Sequence, residues 1–150
     1  MKRVLLTGFH PFGGETINPA WVSVRELTGQ KILDYEIVTG EIPVTRYKAL
    51  EETEKLILQY EPEIVINVGQ AGGSLEMRVE RIGVNCDDYS IPDNEGNQPT
   101  GEPIFEEGPA AYFVTVPIKA MVQEMVEAGV PAIVSNSAGT YLCNHICYGI

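Results

Sequence analysis

Near-continuous apolar runs at residues 4–7, 64–68 and 132–134 each open into a loop that contains glycine or serine. Runs that are apolar at almost every position, rather than at alternate ones, belong to strands covered on both faces. Helical patterns lie between them. The clearest spans 117–128, where Ile118, Met121, Val122, Met125 and Val126 fall at i, i+3, i+4, i+7 and i+8. Asn18 and Pro19 suit the cap and first position of another helix, with Trp21, Val24 and Leu27 on one face and Gly29 ending it. A strand at 35–39 and a short extended piece at 42–44 lead to a third helix over 46–60, with Tyr47, Leu50, Ile57 and Tyr60 inward. Residues 77–84 are strand-like, 92–109 form a long loop of functional or mobile character, and a last helix starts at Leu142. This alternation predicts an α/β fold with a mostly parallel central sheet. Its 150 residues fit one domain.

Composition narrows the partners. The formal net charge of −11 argues against nucleic acid and anionic membrane. Glu51, Glu52 and Glu54 read as a solvated helix face. No apolar run is long enough for a membrane span or for the core of a secretory leader. The odd set Cys86, Cys143 and Cys147 does not make a disulfide framework, which points to reduced thiols in a cytoplasmic setting.

In a parallel sheet, ligands sit beyond the carboxyl ends of the strands. The loops 8–14, 69–73 and 135–142 should therefore converge on one edge. Cys143 follows the last of them, at a strand–loop–helix junction. A helix N-terminus carries partial positive charge, which biases a thiol there toward the nucleophilic thiolate. Cys147, one turn later, reads as packing inward, and nothing marks Cys86 as reactive. A thiol nucleophile needs a base and a group to orient that base. The chain has two histidines. His145 is two residues past Cys143 and on another helical face, so direct pairing is disfavoured; His10 lies in the first loop. Both read as partly exposed surface histidines. Glu80 either pairs with Arg78 or Arg81, or points toward the site edge. The glycines at 8–14 do not have dinucleotide-binding spacing, and no P-loop lysine follows. Cys143, His145 and Cys147 match no common zinc pattern, so no metal and no cofactor is expected.

Eight motifs in one order resemble the pyroglutamyl-peptidase I family of cysteine peptidases. They are Thr7-Gly-Phe-His-Pro-Phe-Gly-Gly14, Asn18-Pro19, Val68-Gly-Gln-Ala-Gly-Gly73, Glu80-Arg81, Ile91-Pro-Asp-Asn-Glu-Gly96, Gly108-Pro-Ala-Ala-Tyr-Phe113, Val116-Pro-Ile-Lys119, and Ser135-Asn-Ser-Ala-Gly139 running on to Leu142-Cys-Asn144. The resemblance implies a three-layer α/β/α sandwich and removal of an N-terminal pyroglutamyl residue from peptides. It implies a Cys143 nucleophile, a Glu80 acidic partner, no cofactor and a homotetrameric assembly. By the same resemblance Phe9, Phe12 and Tyr141 wall the pyrrolidone ring, Gln70 and the backbone near Ile91 supply polar contacts, and Asn18 holds the Gln70 loop. The family's histidine belongs to a later motif, in a strand after the nucleophile helix, so residues 1–150 are expected to be a C-terminally incomplete peptidase domain. Many relatives carry arginine where this chain has Ser90; the Cys143 backbone N–H is then left to stabilise an oxyanion. The alternative is an inactive α/β module that keeps the pocket and the assembly surfaces. Loss of a general base costs ~10²–10⁴-fold.

Overall fold

A computed structural model describes residues 1–150. In chain order the elements are β1 (Lys2–Phe9), α1 (Pro19–Arg25), β2 (Lys31–Ile32), β3 (Tyr35–Ile42), α2 (Ala49–Tyr60), β4 (Ile64–Val68), β5 (Met77–Glu80) and β6 (Ile82–Val84). They continue with β7 (Asp87–Asp88), β8 (Thr100–Glu102), β9 (Ala111–Phe113), α3 (Ile118–Glu127), β10 (Ala132–Ser135) and α4 (Leu142–Gly149).

The apolar run at the N-terminus becomes the central strand. β1 pairs in parallel with β3 on one side and β4 on the other, and β2 adds an antiparallel edge to β3. On one face Leu6, Val24 and Ile37 pack together, with Trp21 of α1 against them. On the other, Phe9, Ile42, Val44 and Ala49 meet Leu142 and Ile146 of α4. Leu5, Ile42 and Ile146 are fully buried, each worth about 1.5–3 kcal/mol of transfer free energy. Helices on both faces of a mainly parallel sheet make the three layers that the alternation predicts. α1 starts as expected: Pro19 is in its first turn and the Asn18 side chain accepts from the Ala20 N–H.

Several local expectations shift. The pieces at 35–39 and 42–44 merge, because β3 stays paired with β1 as far as Ile42 opposite Phe9. α2 begins at Ala49, so Tyr47 precedes it and is 67 % exposed rather than inward. α1 stops at Arg25 and leaves Leu27 on the surface. α3 has the predicted period yet fully buries none of its side chains, since the short β5–β10 pair is the sheet lying against it. The 77–84 segment breaks at Arg81: β5 runs parallel to β10, whereas β6 turns to pair antiparallel with β9. The 92–109 segment is tied down. β8 pairs with β7, and the Asp93 carboxylate accepts from the Glu95 and Asn97 N–H groups. The acidic face of α2 is solvated as expected, with Lys55 bridging Glu51 and Glu52.

Candidate active site

Three carboxyl-edge loops do converge. The end of β1, the turn after β4 and the start of α4 enclose a cavity of about 120 Å³ lined by Phe9, Phe12, Asn18, Gln70, Ala138, Tyr141, Leu142 and Cys143. Five of the six residues assigned to the substrate pocket by resemblance stand in that lining, together with the candidate nucleophile; the sixth assignment was to the backbone near Ile91. Phe12 and Tyr141 face each other at 5.8 Å between ring centres. Tyr141 in turn takes Tyr89 edge-on at 4.6 Å, and its hydroxyl donates to the Pro92 carbonyl. Ile91 lies outside the lining, 40 % exposed, with its side chain beside Gly13. Asn18 is buried, but it holds the first loop rather than the Gln70 loop: its amide donates to the His10 carbonyl.

The position of Cys143 follows from how α4 is seated. Gly83 of β6 lets the helix come close, since a Cβ there would stand 2.7 Å from the Tyr148 backbone nitrogen. The Asn144 side chain then completes the edge of β6. It accepts from the Val84 N–H at 2.8 Å and donates to the Val84 and Cys86 carbonyls at 2.9 and 3.2 Å. The Cys143 sulfur reaches across to Gly69, where any Cβ would collide with it. Ala138, Gly69 and Asn144 were not singled out from sequence. Each stood only inside a motif, with no role of its own attached to it.

The electrostatic expectation for the thiol is reversed. Burial, reinforced by Glu80 and then by Cys147, pushes Cys143 from an ordinary value of 9.0 up to about 11. A helix N-terminus contributes about 1 kcal/mol, less than one power of ten in an ionisation constant. The displacement from 9.0 to about 11 is larger and opposite in sign, so desolvation wins. Alkylation of Cys143 by iodoacetamide should therefore rise roughly tenfold per pH unit above neutrality and level off near 11. A plateau below pH 9 would contradict this. The sign for stability follows. The folded thiol keeps its proton longer than the unfolded one, so this contribution is complete below pH 9 and is lost as pH rises through 9 to about 11.

Glu80 does not pair with its neighbouring arginines. Arg81 donates to the Asn136 side chain at 2.8 Å, and Arg78 reaches Ser135 at 3.5 Å. The Glu80 Oε2 is instead buried without a hydrogen-bond partner, close enough to Cys143 and Cys147 to raise both thiols. Neither histidine supplies a base at the sulfur. His10 lies 3.7 Å from Glu41. His145 is 4 % exposed, which corrects its reading as a surface residue, and it is bound to Asp87. Ser90 is exposed, and no arginine lines the cavity. The first turn of α4 has no side-chain cap, so its opening N–H groups are available to an anion beside the sulfur. No cluster of side chains suited to a metal ion is present.

A family profile described as pyroglutamyl peptidase matches residues 2–150. The pyrrolidone-carboxylate peptidase of Vibrio campbellii is 51 % identical over all of this chain and 71 % of its own length. That of Coprothermobacter proteolyticus is 50 % identical, with 72 % of its length covered. Among solved structures, pyroglutamyl peptidase I of Bacillus amyloliquefaciens superposes with a TM-score of 0.97 at 48 % identity, covering 99 % of this chain and 72 % of that one. The pyrrolidone carboxyl peptidase of Pyrococcus furiosus gives 0.95 at 47 % identity, with 98 % and 71 % covered.

Proposed function

The chain belongs to the pyroglutamyl peptidase family, and from that premise we propose that it removes N-terminal pyroglutamyl residues from peptides, with Cys143 as nucleophile. The observation that carries the residue assignment is the convergence of Phe9, Phe12, Gln70, Tyr141 and Cys143 on one cavity. A pyrrolidone ring is small, flat and neutral. Aromatic faces suit it, and Gln70 can hydrogen-bond its amide.

In the reaction the Cys143 sulfur bonds to the carbonyl carbon that joins pyroglutamate to the next residue. The carbon–nitrogen bond breaks and the amine leaves with a proton. Water then cleaves the thioester, releasing pyroglutamate and restoring the thiol. Oxyanion charge falls beside the uncapped amides of α4. A thiol held at about 11 needs a base to take its proton near neutrality. The orphaned Glu80 oxygen is the acceptor that an imidazole N–H at that place would use. Glu80 is thus assigned to orient such a base. The assembly is assigned as a cytoplasmic homotetramer by family resemblance, and exposed Phe105, Tyr112 and Phe113 offer apolar surface for subunit contact.

The cavity lining contains no carboxylate, so it offers no counter-charge to a protonated amine. Release of a fluorogenic arylamine from a pyroglutamyl amide should exceed release from the matching prolyl amide, whose ring nitrogen is protonated, by at least about 100-fold. Equal turnover of the two would overturn the lactam assignment. A second reading rests on the raised thiol and the engagement of both histidines elsewhere. In it these 150 residues bind the lactam without turning it over. Binding of 2-pyrrolidone without amine release at any pH would favour it.

A further inference from the structure

One buried carboxylate links the nucleophile helix to the aromatic wall of the cavity. Asp87 is fully buried. Both of its oxygens lie 2.9 Å from Nδ1 of His145, two residues past Cys143 on α4. A carboxylate only accepts, so that nitrogen carries the hydrogen. The same carboxylate accepts from Arg46 Nε at 3.0 Å. Arg46 in turn donates its backbone N–H to Asp93, whose loop reaches the first loop through Asn94 and the Pro11 carbonyl, next to Phe12. Tyr89, buried beside Asp87, presses its ring edge-on against Tyr141.

We propose that Asp87 is a positioning residue for the candidate active site: through His145 it fixes the Cys143 turn of α4, and through Tyr89 and Arg46 it fixes the Tyr141 wall and the first loop. The Tyr141 half of this rests on the pyroglutamyl reading; the Cys143 half does not. Buried ionic clusters are poor devices for stability alone, because well-packed apolar residues do as well. Their directional bonds fix geometry instead. Both Asp87 oxygens face the His145 N–H and one of them also takes Arg46, so donors from distant parts of the chain meet on one carboxylate. An asparagine there would keep only one acceptor and would turn its amide toward the other donor.

The test is the rate at which iodoacetamide modifies Cys143, resolved from Cys86 and Cys147 by peptide mass spectrometry, in variants that melt cooperatively. His145→Asn keeps an N–H donor at the place of Nδ1, whereas His145→Gln moves it out to the place of Nε2. His145→Asn should stay within about threefold of the starting rate. His145→Gln and Asp87→Asn should react at least tenfold faster, because a sulfur released from its cover moves back toward ordinary thiol acidity, a change worth up to about 100-fold at neutral pH. Equal rates for the Asn and Gln variants at 145 overturn the proposal, and this pair carries the test alone if Asp87→Asn does not fold. Protection of Cys143 by 2-pyrrolidone is measured in the same samples. The concentration giving half protection should rise about tenfold in Asp87→Asn as the Tyr141 wall loosens. Absence of protection in the unaltered chain, with the rate differences intact, removes the lactam pocket and leaves Asp87 as the residue that positions the thiol.

Discussion

Replacing Cys143 by alanine should reduce amine release from a fluorogenic pyroglutamyl amide to the uncatalysed rate. Loss of the nucleophile from a complete set costs on the order of 10⁶-fold in kcat; with no base at the sulfur here, the expected loss is about 10²–10⁴-fold. The measurement is best made at pH 10, where a thiol at about 11 is ionised in roughly one molecule in ten and an arylamine leaves without prior protonation. Cys86→Ser is the control. Cys86 contributes its backbone carbonyl to Asn144, and that bond survives the substitution. Activity surviving in Cys143→Ala would remove the sulfur from the chemistry, whatever the family assignment.

The second large effect is expected at Gly69, which has no side chain of its own to offer a substrate. A Cβ at this position would collide with the Cys143 sulfur, while its next contacts, Cys143 Cβ and Phe9 Cε2, are ordinary at 3.8 Å. The clash is therefore confined to one atom, which can escape by rotating about its own χ1. Gly69→Ala should fold with a melting temperature within a few degrees of the parent, yet lose about 100-fold in kcat/KM, the cost of moving a reacting atom by about 1 Å. Gly72→Ala, three residues on, is the matched control, because a Cβ there meets nothing within 4 Å. If the two alanine variants are equally active, the sulfur is not held where the structure places it.

How far such sites could be read in advance depended on the range of the interactions involved. The helix start at Asn18 and Pro19 was legible because a cap is a contact between residues two apart. The convergence of Phe9, Gln70 and Tyr141 was legible because parallel strands put their following loops on one edge. His145 was misread for the complementary reason. Its spacing from Cys143 says only that it points elsewhere, and the partner it meets, Asp87, lies 58 residues back along the chain. The apolar stripe of α3 was periodic as predicted but not buried, because period reports the face a helix offers and not what covers it. The break at Arg81 was equally hidden, since a change of strand partner leaves no local mark.

By itself the order of residues determined the α/β alternation, the layered covering of β1, the junction that carries Cys143 and the aromatic character of its surroundings. These rest on periodicity, capping and motif, all properties of near neighbours. Only the tertiary structure decided the acidity of the thiol, the isolation of the Glu80 oxygen and the burial of the His145–Asp87 pair. Each of these is a balance between desolvation and partners brought from distant segments. At position 143 that balance overrode the local helix dipole and reversed the sign of the effect.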